Sequence, residues 1–150
     1  MSSEKKSAWV LRSTSIEKPW GDETSWRSPA SVSVKTLSLN KGKRNSFKYN
    51  SLKDELLICA SGKIKAYFGN EELLSGVGDL NSEILSSGMA LAVQTHCPYR
   101  LEAIEDSIVL EVSTGHRNDT GTVRLHDDYG RKTAALDEHM NEVVRKWFLT

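Results

Sequence analysis

The sequence predicts an all-β sandwich or barrel that ends in one amphipathic α-helix. From residue 32 onward, short β-branched or apolar runs alternate with glycine, asparagine, aspartate and serine residues. Short strands at such regular spacing are typical of a sandwich or barrel. The predicted strands are 32–39, 45–50, 55–60, 64–68, 71–74, 89–95, 99–104 and 108–113.

Residues 1–21 and the run 64–68 show how the residue pattern predicts local structure. Residues 1–8 are polar and are expected to be flexible. Residues 18–21, Lys-Pro-Trp-Gly, predict an extended segment that enters a turn. In the run 64–68, Ile64, Ala66 and Phe68 share one face, and the residues at 63, 65 and 67 share the other.

The C-terminal segment changes to helical spacing. Apolar residues recur there along one stripe: Ala135, Leu136, His139, Met140, Val143, Val144, Trp147 and Phe148. Asp137 and Glu138 lie early and Arg145 and Lys146 late, which suits the helix dipole. We therefore expect an amphipathic helix packed on the barrel or on a second subunit.

The composition limits the number of domains and the class of partner. The 150 residues fit one domain, and 20 basic residues balance 20 acidic ones. This balance argues against a nucleic-acid surface and against polybasic membrane docking. Without an apolar span or a leader, the chain is expected to be soluble and cytoplasmic. We expect a flexible N-terminus at 1–8, a barrel at 9–131 and the helix of the same domain at 132–150.

The two cysteines suggest neither a disulfide framework nor a metal pair. Cys59 and Cys97 lie in separate apolar, strand-like runs. The interpretation we favour is two reduced, buried thiols. His96 stands next to Cys97, but neighbours on a strand point to opposite faces, which argues against a catalytic pair.

One spacing is specific enough to indicate a family. Gly42, Lys48, Asn50, Glu55 and Gly62 stand at the separations of the first cupin motif, Gly-x5-His/Gln-x-His-x3–4-Glu-x6-Gly. Segments 18–21, 110–115 and 123–131 resemble the opening and closing segments of the cupin domain in type II mannose-6-phosphate isomerase. The resemblance covers about residues 16–131. It implies a cupin jelly-roll barrel, a double-stranded β-helix, which agrees with the strand count.

The resemblance also implies where metal ligands would fall. The ligand positions of the first motif carry Lys48, Asn50 and Glu55, and the ligand histidine of the second motif falls on Tyr99. Only Glu55 is an ordinary metal ligand, and one carboxylate does not hold a divalent transition metal. A shift of three residues would align His96 instead, so a metal held by Glu55 and His96 stays as an alternative. The favoured prediction is a cupin without a metal cofactor.

The side chains predicted to line the barrel are polar and of mixed charge. Charges inside a barrel are costly unless they are paired or bind something, so we expect a polar ligand. The candidate catalytic residues are Lys48, Glu55, His96, Tyr99 and Arg124, and the candidate ligand-binding residues are Arg44, Asn50, Arg100 and Tyr129. Two structural alternatives stay open. Lys48 and Glu55 could form a buried ion pair, and Arg124 could bind Asp127 or Asp128.

Three functions fit this set of residues. The first is a metal-independent isomerase, epimerase or lyase that removes a proton next to the carbonyl of a sugar-like or other hydroxy-carbonyl molecule. Glu55 or His96 would be its base and Tyr99 its acid. Lys48 or Arg44 would be its electrostatic clamp. The second is a binding or accessory cupin without turnover, and the third is a metal-dependent isomerase. For each we expect a small polar ligand, sugar or sugar phosphate, and a homodimer, with no nucleic acid or membrane partner.

Overall fold

The computed structural model describes residues 5–28, 31–114 and 121–149. Eleven strands and one α-helix follow each other along these residues. They are β1 (Thr14–Lys18), β2 (Gly21–Ser25), β3 (Val32–Leu39), β4 (Phe47–Asn50), β5 (Glu55–Ser61), β6 (Lys63–Phe68), β7 (Asn81–Ser86), β8 (Ala90–Val93), β9 (Tyr99–Ala103), β10 (Ser107–Thr114), β11 (Thr122–His126) and α1 (Glu138–Phe148). Gly115, the end of one segment of the resemblance, and residues 1–4 of the predicted flexible N-terminus lie outside the described residues.

Two antiparallel sheets face each other. The larger sheet has the order β1-β2-β3-β10-β5-β8, and the smaller has the order β11-β4-β9-β6-β7. Residues far apart in the sequence are therefore direct neighbours. For example, β3 and β10 pair along eight residues of each strand. The predicted all-β fold with a C-terminal helix is confirmed.

Apolar side chains fill one end of the space between the sheets. Leu57, Cys59, Ile64, Leu101 and Val109 are at most 1% exposed there. The other end of the same space is open and polar. As predicted, both thiols are free, with Cys59 buried and Cys97 partly buried. No helix among the described residues is long and apolar enough to cross a membrane.

One predicted strand is wrong, and some strands were not predicted. Residues Glu71–Ser75 form a 3-10 helix, because the Asn70 side chain caps it by accepting the Glu72 N–H and Gly76 ends it at φ 85°. The strands β1, β2, β7 and β11 were missed. In β7 only Leu85 is buried, so the strand lacks the apolar alternation that would reveal it.

The C-terminal helix packs on its own barrel. Asp137 caps it by accepting the Met140 N–H at 2.8 Å. Its apolar stripe packs on the outer surface of the smaller sheet, where the Phe148 ring lies 5.0 Å from Phe47 and 5.2 Å from Tyr67. This covering explains why Tyr67 is buried although it lies on the polar face of β6. The helix therefore does not offer this stripe to a second subunit.

Residues 18–21 form the predicted turn, and steric crowding requires a glycine at position 21. β1 and β2 pair as a hairpin in which Lys18 faces Gly21. Gly21 has φ 152°, and a Cβ atom added to it would lie 1.8 Å from the carbonyl oxygen of Ser38. The backbones of β2 and β3 can approach this closely only when residue 21 has no side chain.

We expect Gly21→Ala to lower the free energy of unfolding by about 1–3 kcal/mol, because the new methyl group overlaps the Ser38 carbonyl. Urea unfolding monitored by tryptophan fluorescence measures the loss. Gly78→Ala is the matched control, since Gly78 also has a positive φ of 90° but no atom lies within 4 Å of the added Cβ. Equal losses in the two variants would disprove the explanation.

Candidate functional site

A cavity of about 600 Å³ opens at the polar end of the space between the sheets. The inner faces of β2, β3, β5 and β10 form one wall, and β4 and β11 form the opposite wall. Residues 131–134, which follow β11, also line it. This volume lies within the range of ordinary small-molecule sites.

The cavity lining has more cationic than anionic side chains. Seven cations face three carboxylates, and these are Lys18, Lys35, Lys48, Lys53, Arg124, Arg131 and Lys132 against Glu23, Glu55 and Glu111. Glu23 pairs with Lys35 at 2.9 Å and with Lys18 at 3.4 Å. Asp127, next to the lining, pairs with Arg131 at 2.8 Å. Positive charge still exceeds negative charge after these pairs, which favours an anionic ligand.

Lys48 and Tyr99 lie side by side on paired strands. β4 and β9 place these residues directly opposite each other, and the Lys48 ammonium lies 4.9 Å from the centre of the Tyr99 ring. The Tyr99 hydroxyl donates to Glu55 Oε2 at 2.9 Å. Tyr99 therefore contacts both groups. Within the described part of the chain, Lys48 and Glu55 do not form the direct ion pair that the sequence left open.

The Lys48 side chain is partly buried in the wall of the cavity. Burial lowers the pKa of Lys48, while the negative charges of Glu55 and Glu111 partly oppose this shift. An ammonium in such a position releases a proton more readily than a surface lysine, and it interacts strongly with any oxygen that gains negative charge beside it.

Glu111 is a cavity residue that the sequence interpretation missed. It lies on β10 with its carboxylate among Glu55, Lys35 and Lys48. Burial, together with the charge of Glu55, raises the pKa of Glu111 to about 7, although Lys35 and Lys48 oppose the shift. The signal was present in the sequence, because alternation places Glu111 on the buried face that carries Val109 and Ser113.

We expect Glu111→Gln to stabilise the protein at pH 8 and to leave its stability unchanged at pH 4. Glu111 binds its proton more tightly in the native state than in the unfolded state. Its contribution to the free energy of unfolding is therefore complete below its ordinary pKa of 4.5 and is lost as the pH rises to about 7. The gain at pH 8 is about 3 kcal/mol. Chemical unfolding at both pH values measures it, with the exposed Glu83→Gln as control. A pH-independent difference would contradict the assignment.

Arg124 faces the cavity, and no carboxylate of the described residues forms a salt bridge with it. Its Nε atom is buried and has no hydrogen-bond partner in the described part of the chain, and Nη1 donates to the Lys132 carbonyl at 3.5 Å. Burial lowers the pKa of Arg124, and the nearby Arg131 lowers it further. The alternative of a salt bridge to Asp127 or Asp128 is wrong. Asp127 binds Arg131 instead.

The structure brings some of the candidates together and separates others. Lys48, Asn50, Glu55 and Arg124 line the cavity, and Tyr99 is fixed against two of them. His96 lies in an exposed turn between β8 and β9 at φ 67°. Its ring is stacked at 6.0 Å on Tyr49 and is not part of the cavity lining. The structure thus gives His96 no position from which to act as a base in the cavity.

Arg44 and Arg100 lie on the opposite side of the smaller sheet, beneath the end of α1, whereas Tyr129 packs against the apolar core between the sheets. Arg100 is fully buried and donates to the Asn45 carbonyl at 2.7 Å. Asp128 pairs with Arg44 at 2.5 Å and with Arg100 at 3.0 Å. The Tyr129 hydroxyl donates to the Arg44 carbonyl at 2.8 Å. This network, expected from the sequence to bind ligand, joins the helix to the barrel instead.

The residues at the expected ligand positions do not fit a divalent metal. The described residues contain no group of three histidine, cysteine or carboxylate side chains that could hold one. Lys48 brings a positive charge to the first ligand position. At the second, the Asn50 amide oxygen already accepts the N–H groups of Leu52 and Lys53 at 2.8 and 2.9 Å. We therefore derive no chemical step through a metal.

Similar solved structures identify the fold. No protein-family model and no curated protein sequence matches the chain. KdgF from Halomonas sp. is similar at a TM-score of 0.59 and 14% identity, over 74% of this chain and 90% of that protein. An oxalate decarboxylase from Bacillus subtilis is similar at a TM-score of 0.67 and 11% identity, over 81% and 34%. The chain has the cupin fold.

A third similar structure is the capsular polysaccharide assembling protein CapF from Staphylococcus aureus, at a TM-score of 0.63 and 14% identity. The match covers 79% of this chain and 32% of CapF. This cupin chain thus spans about a third of CapF and of the oxalate decarboxylase, and nearly the whole of KdgF. At such low identity the similarity shows the fold, and function must be argued from the cavity.

Proposed function

We propose that this cupin binds a small anionic hydroxy-carbonyl molecule in its barrel cavity and moves a proton next to the carbonyl group without a metal. The observation that carries the proposal is that the partly buried groups Lys48 and Glu111, one basic and one acidic, line the same cavity with excess positive charge. Sugar acids and sugar phosphates are the substrate class that combines these features.

The excess of cations favours an anionic substrate group. The buried Nε–H group of Arg124 has no hydrogen-bond acceptor among the described residues. A carboxylate or phosphate can accept two parallel hydrogen bonds from a guanidinium group. Lys132 and Arg131 lie beside it in the lining. This part of the cavity would bind the anionic group and thereby orient the rest of the molecule toward Lys48.

The remaining groups supply acid–base chemistry. With a pKa of about 7, Glu111 is present as both acid and base at neutral pH. Its carboxylate would take the proton from the carbon next to the carbonyl, and the Lys48 ammonium would stabilise the enolate oxygen that forms. The Lys48 ammonium would then protonate the enolate oxygen to give an enediol. When the neighbouring hydroxyl gives its proton back to Lys48 and Glu111 returns the carbon-derived proton to the former carbonyl carbon, the product is the isomer. An epimer would require a second acid on the opposite face of the same carbon.

The motifs that resemble type II mannose-6-phosphate isomerase support the choice of a sugar-like substrate. The metal-dependent form of that reaction has less support, because Lys48 and Tyr99 occupy positions where the family has metal ligands. KdgF and CapF, two of the similar structures, supply further examples of this fold. The proposed site therefore keeps the barrel of the family and its glutamate, Glu55, and carries lysine, asparagine and tyrosine at the other three ligand positions.

Thermal stability with matched ligand pairs tests the binding part of this proposal. We expect galacturonate and fructose phosphate to raise the melting temperature, and galactose and fructose to have little effect. Ligand at 100 times its dissociation constant stabilises the native state by about 2.7 kcal/mol. Arg124→Gln should abolish the effect, whereas Arg145→Gln on the exposed face of α1 should keep it. Equal stabilisation by charged and neutral sugars would contradict the proposal.

A further inference from the structure

Tyr99 is a core residue that contacts two charged groups of the cavity without lining the cavity itself. Its side chain is only 1% exposed and is not part of the lining, whereas Lys48 and Glu55 both are. Tyr99 begins β9 in the smaller sheet, and its hydroxyl reaches Glu55 at the start of β5 in the larger sheet. A group in this position does not touch a bound substrate, so any role in the reaction must act through its neighbours.

Lys48 and Glu55 would attract each other strongly if Tyr99 did not bind each of them. Of the charges that act on the pKa of Lys48, that of Glu55 has the largest effect. The Lys48 ammonium nevertheless lies over the Tyr99 ring, 4.9 Å from its centre, and Glu55 accepts the Tyr99 hydroxyl at 2.9 Å. The tyrosine thus gives the ammonium an aromatic face and the carboxylate a donor, in place of a direct ion pair.

We infer that Tyr99 is a positioning residue that holds Glu55 away from Lys48 and so leaves the Lys48 ammonium available to an oxygen of the substrate. This inference rests on the proposed function, in which that ammonium stabilises and protonates the enolate oxygen. An ammonium that is paired with a carboxylate donates to it and loses most of its effect on a second anionic oxygen. Without the Tyr99 hydroxyl, Glu55 would lack its donor and would turn to the nearby Lys48.

The outer side of the same sheet carries a matched arrangement that serves as a control. The Tyr67 hydroxyl donates to Glu102 Oε1 at 2.6 Å, and the Lys65 ammonium lies 5.1 Å from the centre of the Tyr67 ring. Lys65 and Glu102 are direct partners on β6 and β9. These three residues do not line the cavity. Removing the Tyr67 hydroxyl therefore breaks the same kind of hydrogen bond at a place that the reaction does not use.

Crystal structures of Tyr99→Phe and Tyr67→Phe test the positioning directly, because phenylalanine keeps the ring and removes only the hydroxyl. In Tyr99→Phe we expect the Lys48 ammonium and a Glu55 oxygen to lie within about 4 Å, the distance of an ion pair. They should stay farther apart in the wild type and in Tyr67→Phe. Circular dichroism confirms folding, and Tyr99→Met, which also lacks the hydroxyl, is used if Tyr99→Phe does not fold. A Glu55 that stays away from Lys48 in the variant would overturn the inference.

Turnover in three backgrounds tests what the positioning does for the reaction. The readout is the replacement of hydrogen by deuterium next to the carbonyl of fructose phosphate in D2O, followed by proton NMR. Tyr99→Phe should lower this rate by about 10- to 100-fold in the wild-type background, since the ammonium is diverted rather than removed. It should lower the rate by less than about threefold in Glu55→Gln, which has no charge to pair with Lys48, and in Lys48→Met. Tyr67→Phe should leave the rate unchanged.

The two tests distinguish a failure of this inference from a failure of the proposed function. A structural role for Tyr99 alone would give Tyr99→Phe the same cost in all three backgrounds, which would overturn the inference. Equal rates for the wild type and Tyr99→Phe would also overturn it and would leave the proposed function intact. If the wild type exchanges no hydrogen, the proposed function fails, and the crystal structures still decide whether Tyr99 separates Lys48 from Glu55.

Discussion

Lys48→Met is expected to reduce turnover of a bound hydroxy-carbonyl substrate by about 100- to 1,000-fold, the effect of removing one group that stabilises a developing oxyanion. Methionine keeps the length of the side chain, so the cavity keeps its shape. Because a buried ammonium is costly, the variant should be at least as stable as the wild type. Kinetics with saturating substrate and thermal unfolding give the two readouts.

Lys48→Met should also change the pKa of Glu111, which can be measured independently of turnover. The charge of Lys48 lowers the pKa of Glu111, so its removal should raise that pKa above about 7. Carbon-13 NMR titration of the glutamate carboxyl groups measures this shift. Lys65→Met is the matched control, because Lys65 also lies over an aromatic ring, 5.1 Å from the centre of Tyr67, but on the outer side of the sheet. Normal turnover by Lys48→Met would show that Lys48 does not take part in the mechanism.

Arg100→Met is expected to lower the free energy of unfolding by about 2–4 kcal/mol, because it leaves two largely buried acceptors without their donor. The guanidinium is fully buried, and it contacts Asp128 at 3.0 Å, His126 Nδ1 at 2.9 Å and the Asn45 carbonyl at 2.7 Å. Methionine fills the volume but removes the donor from the Asn45 carbonyl and from His126 Nδ1, while Asp128 keeps its pair with Arg44. Guanidinium chloride unfolding at pH 7 measures the loss.

Arg44→Met is the control for this prediction. Arg44 binds the same Asp128 carboxylate, but its side chain is 20% exposed, so the expected loss is only about 1 kcal/mol. Burial lowers the pKa of His126, and the charge of Arg100 lowers it further. Arg100→Met should therefore also raise that pKa toward its ordinary value. Equal stability losses in the two variants, or an unchanged His126 titration, would contradict a structural role for Arg100.

Much of the fold could be predicted because its strands alternate strongly. Residues 32–39 and 64–68 carry β-branched and apolar residues at a period of two, and both form strands close to the predicted bounds. β7 and the hairpin of β1 and β2 could not be predicted in this way, since they lie at sheet edges and bury few side chains. Residues 71–74 were misassigned because capping by Asn70 overrides a short apolar run.

The candidate site could be predicted only where a motif fixed the position. The spacing around Lys48, Asn50 and Glu55 placed three side chains in the cavity correctly. Arg44 and Arg100 were assigned to the site because they are charged, whereas strand direction points them out toward α1. Glu111 was missed because it belongs to no motif, although its position in the alternation places it on the inward face of β10, where it lines the cavity.

Hydrogen exchange at the carbon next to the substrate carbonyl tests the central claim most directly. The protein is treated with a chelator, incubated in D2O with an anionic hydroxy-carbonyl compound that stabilises it, and followed by proton NMR. We predict that the wild type replaces this hydrogen with deuterium and that Lys48→Met and Glu111→Gln do so at most at about one hundredth of its rate. Exchange that requires added metal, or no exchange with any compound that binds, would contradict the account.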